Sequence, residues 1–304
     1  MKRLLSLISV TILTVTLGVS SVFAQTENYV AIGDSLAAGQ TPYQEIDTGY
    51  SDLIAMRLGL MGQIGYTKAF AFPGYTTTDV LDRVKSVEAS ELLANATLIT
   101  ISAGANDLLR LVQVNPTAGT LTFSQLQTDY TLNVARKNIV EILAELKTRA
   151  PHAKVYVMGY YFAYPNVHAS QKEGTNKQLV KLNTILQQQA QRAGAAYINV
   201  YDAFGLQATN YLPNSSDVHP NFEGYRQMAN AFLKAYSGSD VLAIASEELP
   251  KPNPMTFKEI IEKQGIAEQS PVESRQESVA IVRRIQGFNG YIAFIKKARE
   301  IQYS

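Results

Sequence analysis

The chain has 304 residues, of which 46% are hydrophobic, and a formal net charge of +1. This composition is typical of a packed globular protein, and the near-neutral charge excludes the broad electrostatic attraction on which nucleic-acid binding depends. The sequence contains no cysteine, which excludes disulfides, cysteine-based metal sites, a cysteine nucleophile and a lipid-modified cysteine. Only three histidines are present, His152, His168 and His219, so the choice of a catalytic imidazole is narrow.

The N-terminus predicts export. Lys2 and Arg3 precede an uncharged stretch over residues 4–24, which ends in a small residue, Ala24. This is the layout of a secretory signal peptide over residues 1–24, with the mature chain beginning at Gln25. The alternative is a retained membrane anchor, because the uncharged stretch is nearly long enough to cross a bilayer. We expect cleavage and a secreted, extracellular protein with no stable membrane span.

Strand and helix patterns alternate through the next two hundred residues. Short β-branched or apolar runs predict strands, and apolar residues at helical spacing predict helices. In chain order we predict strand 29–32, helix 48–60, strand 66–72, helix 76–84, strand 98–101, a long helix after Ser124, strand 154–158, a helix through Leu179, Leu182 and Leu186, strand 197–200 and helix 221–236. This alternation predicts a mostly parallel five-stranded sheet with helices on both faces.

The composition changes near residue 249. Prolines at positions 250, 252 and 254 indicate a semi-rigid linker over residues 246–254. We therefore predict a main domain over residues 25–245 and a small helical C-terminal appendage over residues 255–304. The appendage is too short for a stable core of its own, so it either packs on the main domain or meets a partner.

Four segments carry residues suited to acyl transfer. Ser35 follows the first strand, Gly74 the second and Asn106 the third, while His219 precedes the last helix with Asp217 close by. Ligands bind parallel sheets beyond the carboxyl ends of their strands, where these segments would meet. Together they supply a nucleophile, a base and two oxyanion donors. Each segment alone is also compatible with an ordinary turn or helix cap.

In the order and content of these blocks the chain resembles the SGNH/GDSL family of ester hydrolases, over roughly residues 29–236. The resemblance implies a flavodoxin-like three-layer α/β/α sandwich and no metal or other cofactor. It also implies that Ser35 is the nucleophile and His219 the general base. The backbone N–H groups of Ser35 and Gly74 and the amide of Asn106 would form the oxyanion hole.

The sequence departs from the family at the acid. The family places an aspartate three residues before the histidine, where this chain has Ser216. Asp217 lies only two residues before His219, a spacing that does not share a helical face. We predict that Asp217 orients His219 from an irregular loop. The alternatives are a backbone carbonyl within residues 214–216, or a distant acid such as Asp202.

The substrate is less determined than the chemistry. We expect a carboxylesterase or lipase-like enzyme acting on a small-molecule or lipid ester, lysophospholipids included. One alternative is deacetylation of an extracellular polysaccharide, and a lesser one is a surface-binding module without turnover. Apolar residues after Asn106 and aromatic residues after the fourth strand either line an acyl groove or belong to the core; they are Leu108, Leu109, Leu111, Val112, Tyr160, Tyr161, Phe162 and Tyr164. The oligomeric state stays open.

Overall fold

The computed structural model describes residues 27–256 and residue 259. The expected signal peptide and nearly all of the expected C-terminal appendage lie outside these residues, so both stay predictions. None of the helices in the described part is long and apolar enough to cross a membrane.

Strands and helices alternate along the described chain. The strands are β1 (Glu27–Gly33), β2 (Glu45–Ile46), β3 (Ile64–Ala71), β4 (Leu98–Ser102), β5 (Gln113–Asn115), β6 (Thr120–Thr122), β7 (Lys154–Met158), β8 (Ala196–Ile198) and β9 (Met255–Thr256). The α-helices are α1 (Ser35–Ala38), α2 (Tyr50–Gly59), α3 (Thr77–Lys85), α4 (Ala89–Ala94), α5 (Ala105–Leu109), α6 (Gln125–Arg149), α7 (Ala169–Ala193), α8 (Tyr201–Phe204) and α9 (Phe222–Ser237).

The predicted parallel sheet is confirmed. Five strands pair in the order β3-β1-β4-β7-β8, and every pairing is parallel. Counted along the chain, these strands stand in the order 2-1-3-4-5, which is the flavodoxin-like arrangement. The order reverses between β1 and β4, so the crevice for a ligand is expected at their carboxyl ends.

Helices cover both faces of the sheet. Helix α6 packs against α3 and α7 in one layer, and α2 packs against α9 in the other. The central strand β4 is buried along its whole length because both of its faces meet a helical layer. The predicted three-layer α/β/α architecture is thus confirmed, with its core on both faces of the sheet.

Two small antiparallel ladders were not anticipated, because strands of two or three residues carry no readable periodicity. Strands β5 and β6 form a hairpin between α5 and α6. Strand β9 pairs with β2, so Met255 and Thr256 are extended where a helical appendage was expected to begin. The prolines at positions 250, 252 and 254 favour an extended backbone that leads into this strand.

The segment that precedes β9 lies against the main domain. Glu248 forms an ion pair of 2.7 Å with Arg57 of α2. The backbone N–H of Asn253 donates to the Asp47 carboxylate at 2.8 Å. Residues 246–256 are therefore held against α2, β2 and the Asp47 side chain that follows β2.

Candidate active site

The turn after β1 presents Ser35 at the edge of the sheet. Gly33 has a φ of 144°, and a Cβ there would lie 2.1 Å from the carbonyl oxygen of Ser102, so only glycine fits. Asp34 then caps α1 by accepting a hydrogen bond from the Leu36 N–H at 3.0 Å. Ser35 is the first residue of that helix, where backbone N–H groups have no partner within the helix.

His219 reaches Ser35 from the loop before α9. Its Nε2 lies 2.7 Å from the Ser35 Oγ, and its Nδ1 lies 2.7 Å from the Asp217 Oδ1. The side chains of His219 and Asp217 are only 12% and 11% exposed. The structure therefore brings together the three residues predicted as nucleophile, base and acid.

The local backbone explains how the two-residue spacing works. The Asp217 Oδ1 also accepts a hydrogen bond of 2.7 Å from the His219 backbone N–H. An aspartate commonly closes such a turn onto the N–H two residues further on. This turn directs the carboxylate to the Nδ1 side of the ring without a helix. The alternative acid, Asp202, instead accepts a hydrogen bond of 2.8 Å from Asn199.

A buried carboxylate precedes the nucleophile in the chain. Asp34 is 1% exposed, and burial raises the pKa of its carboxyl group. Hydrogen bonds from the Tyr160 hydroxyl (2.6 Å) and the Ser102 hydroxyl (2.8 Å) oppose that rise by stabilising the charged form. Asp34 thus ties β1 to β4 and to the segment after β7.

Asn106 and Ser35 line one cavity. One of the amide N–H groups of Asn106 donates to the Tyr75 carbonyl at 2.9 Å. A primary amide has two N–H donors, so the other remains for a ligand. Gly74 lies in the exposed turn after β3 with a φ of 79°, and its carbonyl accepts a hydrogen bond of 2.7 Å from Arg110. Gly74 is not among the residues that line the cavity.

A cavity of about 90 Å³ opens beside Ser35 and His219. Its walls come from α5, α6, α7 and the segment after β7, and most of its lining is apolar. The apolar residues of this lining include Leu36, Leu108, Leu109, Val112, Phe123, Phe162, Leu179 and Leu182. Several residues expected either in a groove or in the core therefore do both, since they are largely buried and also line this cavity.

The other two histidines lie outside this cavity. His168 occupies the position before α7, makes no side-chain capping bond, and donates its backbone N–H to the Gly119 carbonyl at 2.9 Å. His152 is exposed in the turn before β7, at the opposite end of the sheet. Asp107 accepts two hydrogen bonds from Thr77 and so anchors the helix that carries Asn106. No cluster of metal-ligating side chains occurs among residues 27–256.

Tyr160 and Tyr161 make contacts with the site that the sequence does not indicate. Their hydroxyls bond Asp34 and the carbonyl of Val218, respectively. The aromatic run after β7 was visible in the sequence. Nothing in it indicated which distant segments the hydroxyls would reach.

Comparison with known proteins decides the family. The model of the GDSL-like lipase/acylhydrolase family matches residues 31–227, a span that contains Ser35, Asn106, Asp217 and His219. The chain belongs to this family. The predicted family is confirmed, and with it the class of reaction: this GDSL-family protein is a hydrolase of ester bonds.

Solved structures of low sequence identity share its fold. A lipase from a goat rumen metagenome is 22% identical, covers 71% of this chain and 100% of its own, and has a TM-score of 0.57. An acetylxylan esterase from Geobacillus stearothermophilus is 20% identical over 68% of this chain and 93% of its own, with a TM-score of 0.51. A curated relative, the uncharacterized protein YpmR of Bacillus subtilis (strain 168), is 23% identical over 73% of this chain and 82% of its own length.

Proposed function

We propose that this GDSL-family hydrolase cleaves carboxylic esters through an acyl-enzyme on Ser35, with His219 as the general base and Asp217 as its orienting acid. The observation that carries the proposal is the continuous pair of 2.7 Å contacts from Ser35 Oγ through the imidazole to the Asp217 carboxylate. A nucleophile, a base and a third group in this geometry are the arrangement used for nucleophilic acyl transfer. A surface-binding module without turnover has no need of it.

In the proposed mechanism, His219 Nε2 takes the proton of Ser35 as the Oγ attacks the ester carbonyl. Asp217 holds the proton on Nδ1 and stabilises the imidazolium. The negative oxygen is held by the remaining N–H of Asn106 and by the backbone N–H of Ser35, with the backbone N–H of Gly74 as the third donor that the family resemblance implies. His219 returns the proton to the leaving alcohol, and water then hydrolyses the acyl-enzyme with His219 again acting as base.

The cavity supports a fatty acyl group rather than an acetyl group. Its apolar walls bury hydrocarbon favourably, at roughly 0.8 kcal/mol for each CH₂ removed from water. An acetyl group would leave most of these walls in contact with water. We therefore propose a lipase-like enzyme that acts on fatty acyl esters, lysophospholipids among them. Deacetylation of a polysaccharide is the alternative outcome of the test below.

The test is hydrolysis of p-nitrophenyl esters from acetyl to palmitoyl by the purified protein. We expect kcat/KM to rise beyond acetyl as the chain fills the cavity, and we expect Ser35→Ala to abolish the activity. Ser170→Ala, at an exposed position of α7, is the matched control and should behave like the wild type. A maximum at acetyl would favour the deacetylase, and activity that survives Ser35→Ala would contradict the proposed nucleophile.

The identity of the acid has its own test. In Asp217→Asn we expect kcat to fall by roughly 10⁴-fold, the loss caused by the same change in the triad of a serine protease. Asp202→Asn should retain wild-type kcat, because this exposed carboxylate bonds Asn199 and not His219. The reverse result would assign the acid to Asp202.

Secretion is proposed on the N-terminal sequence alone. Lys2 and Arg3, followed by the uncharged residues 4–24, are the supporting observation. N-terminal sequencing of the protein from the culture medium should begin at Gln25. Recovery of the chain only from membranes, with its N-terminus intact, would instead indicate a retained anchor.

A further inference from the structure

Two consecutive tyrosines after β7 contact both halves of the catalytic arrangement. The Tyr160 hydroxyl donates to the Asp34 Oδ2 at 2.6 Å, next to Ser35 in the chain. The Tyr161 hydroxyl donates to the Val218 carbonyl at 2.7 Å. Burial holds the pKa of both phenols well above its usual range, so both hydroxyls are protonated donors.

Tyr161 contacts the loop that carries His219. Val218 is the residue between Asp217 and His219, so its carbonyl belongs to the turn that directs the carboxylate onto the imidazole. Tyr161 is 5% exposed, and its ring stacks on Phe204 with centroids 4.3 Å apart and an interplanar angle of 12°. The hydroxyl therefore approaches Val218 from a side chain that has little freedom to move.

Tyr160 contacts the turn that carries Ser35. Its backbone N–H donates to Asn183 Oδ1 at 2.9 Å, and its carbonyl accepts from Asn183 Nδ2 at 2.7 Å. Asn183 is itself buried on α7, so both backbone groups of Tyr160 are bonded to the helical layer. The hydroxyl is thus presented to Asp34 from a fixed backbone.

We propose that Tyr160 and Tyr161, the tyrosine pair, are positioning residues that set the separation between Ser35 and His219. This rests on the proposed function of Ser35 and His219. Tyr160 and Tyr161 are adjacent in the chain. Their hydroxyls therefore connect the turn that carries Ser35 and the loop that carries His219 through one short stretch of backbone. The pair matters in this chain because Asp217 directs His219 from a loop and not from a helical turn.

A second role follows from the same geometry. The segment that carries the tyrosine pair continues into Phe162, Ala163 and Tyr164, which line the acyl cavity together with Tyr160 and Tyr161. An acyl chain in the cavity therefore packs against residues 160–164, the segment whose tyrosine pair contacts the turn of Ser35 and the loop of His219. Loss of the Tyr161 hydroxyl should accordingly lower kcat more than it changes KM for short esters, which contact little of the cavity wall.

The experiment removes single hydroxyls from the full-length protein. The variants are Tyr161→Phe and Tyr160→Phe, with Tyr156→Phe as the matched control. Tyr156 is a buried tyrosine of β7, the strand that precedes the tyrosine pair, and its ring packs edge-on against Phe232 of α9, away from the site. Each variant is studied well below its own thermal midpoint, so loss of folded protein does not enter the rates.

Two readouts separate positioning from general stability. The first is the rate at which a fluorophosphonate modifies Ser35: the Oγ–P bond forms, the P–F bond breaks with loss of fluoride, and His219 takes the hydroxyl proton. The second is the downfield proton NMR signal of the His219 Nδ1 hydrogen bond to Asp217. A structural role alone would lower the thermal midpoint without changing either readout.

For Tyr161→Phe we expect the modification rate and kcat to fall by up to about 100-fold, the loss that a displacement of about 1 Å can cause. We also expect the Nδ1 signal to broaden or vanish. Tyr160→Phe should lower the rate but keep the signal, because it acts on the nucleophile side. Phe204→Leu, which removes the ring stacked on Tyr161, is a second variant that should reproduce the Tyr161→Phe pattern more weakly if Tyr161→Phe does not fold.

Wild-type rates and an intact signal in Tyr161→Phe, or in Phe204→Leu, would contradict the proposed positioning role of the tyrosine pair. Equal losses in Tyr156→Phe would overturn it too, since they would show a general effect. A wild-type protein that the fluorophosphonate does not modify at Ser35 would overturn the proposed function itself. That result is distinguishable, because it precedes any comparison of variants.

Discussion

At the scale of single residues, Asn106 has two amide N–H groups with different uses: one bonds the backbone, and the other is proposed to bind the oxyanion. The Tyr75 carbonyl accepts one of its two amide hydrogens at 2.9 Å, and Asn106 lines the same cavity as Ser35. A donor held in place before the reaction stabilises developing charge at no cost of reorientation. Asn106 should therefore matter in the transition state more than in substrate binding.

We expect Asn106→Ala to lower kcat by the equivalent of about 2.7–4 kcal/mol, the usual loss for one oxyanion donor, with little change in KM. Steady-state kinetics on a p-nitrophenyl ester measures the two constants separately. Asn133→Ala, at an exposed position of α6, should leave both unchanged. A change confined to KM would show that Asn106 binds the ground state instead.

Asp34 predicts a pH dependence of stability. Because burial raises its pKa in the folded protein, the folded state binds this proton more tightly than the unfolded state does. Its contribution to the free energy of unfolding is therefore greatest at low pH, and it falls as pH rises through the folded pKa. Position 34 does not titrate in Asp34→Asn. The stability of this variant relative to wild type should therefore increase as pH rises from the pKa of Asp34 in the unfolded chain to its raised pKa in the folded protein. Urea unfolding of both proteins at a series of pH values measures the difference. A constant difference would contradict the raised pKa.

At the scale of elements, α5 depends on its neighbours. A helix of five residues has too few internal hydrogen bonds to form alone. Asp107 anchors it by accepting hydrogen bonds from the Thr77 N–H (2.8 Å) and the Thr77 hydroxyl (2.7 Å) at the start of α3. The position of Asn106 thus follows from a contact between two helix N-termini.

Removal of one of these bonds should destabilise the fold. In Thr77→Val the buried Asp107 carboxylate loses a donor, which typically costs about 1–3 kcal/mol. The matched control is Thr78→Val, because the exposed Thr78 shares with Thr77 the contact to Asn138 at 3.0 Å but not the contact to Asp107. Urea unfolding of the two variants should separate them. Equal losses would place the effect at Asn138 and not at Asp107.

At the scale of the whole molecule, stability resides in the sheet between its two helical layers. Ile99 of β4 is 0% exposed, so Ile99→Ala should lower the free energy of unfolding by about 2–5 kcal/mol through lost burial and a new cavity. Val140→Ala, at a 48% exposed position of α6, should change it by no more than about 0.5 kcal/mol. Chemical denaturation measures both. Ile99→Ala should retain its ester hydrolysis at low temperature, and a selective loss of kcat in still-folded protein would show that the core also positions the site.

The sequence by itself determined the order of the sheet strands and long helices, the parallel sheet and the family. Periodicity encodes these features locally, since buried strands and amphipathic helices each impose their own spacing of apolar residues. The sequence also placed Ser35 and Asn106 together, because segments that follow parallel strands meet at one edge. His219, in the loop before the last helix, joined them through the family resemblance. Gly74 belongs to the same set of turns, although the cavity beside Ser35 does not reach it.

Only the tertiary structure decided which acid meets His219, because Asp217 and Asp202 differ in loop geometry and not in chemistry. It alone showed the apolar cavity, which forms where α5, α6, α7 and the segment after β7 converge. It alone assigned the hydroxyls of Tyr160 and Tyr161, whose partners lie 126 and 57 residues away in the chain. Contacts at such separations leave no periodic trace, since they depend on how the layers pack and not on the pattern within any one element.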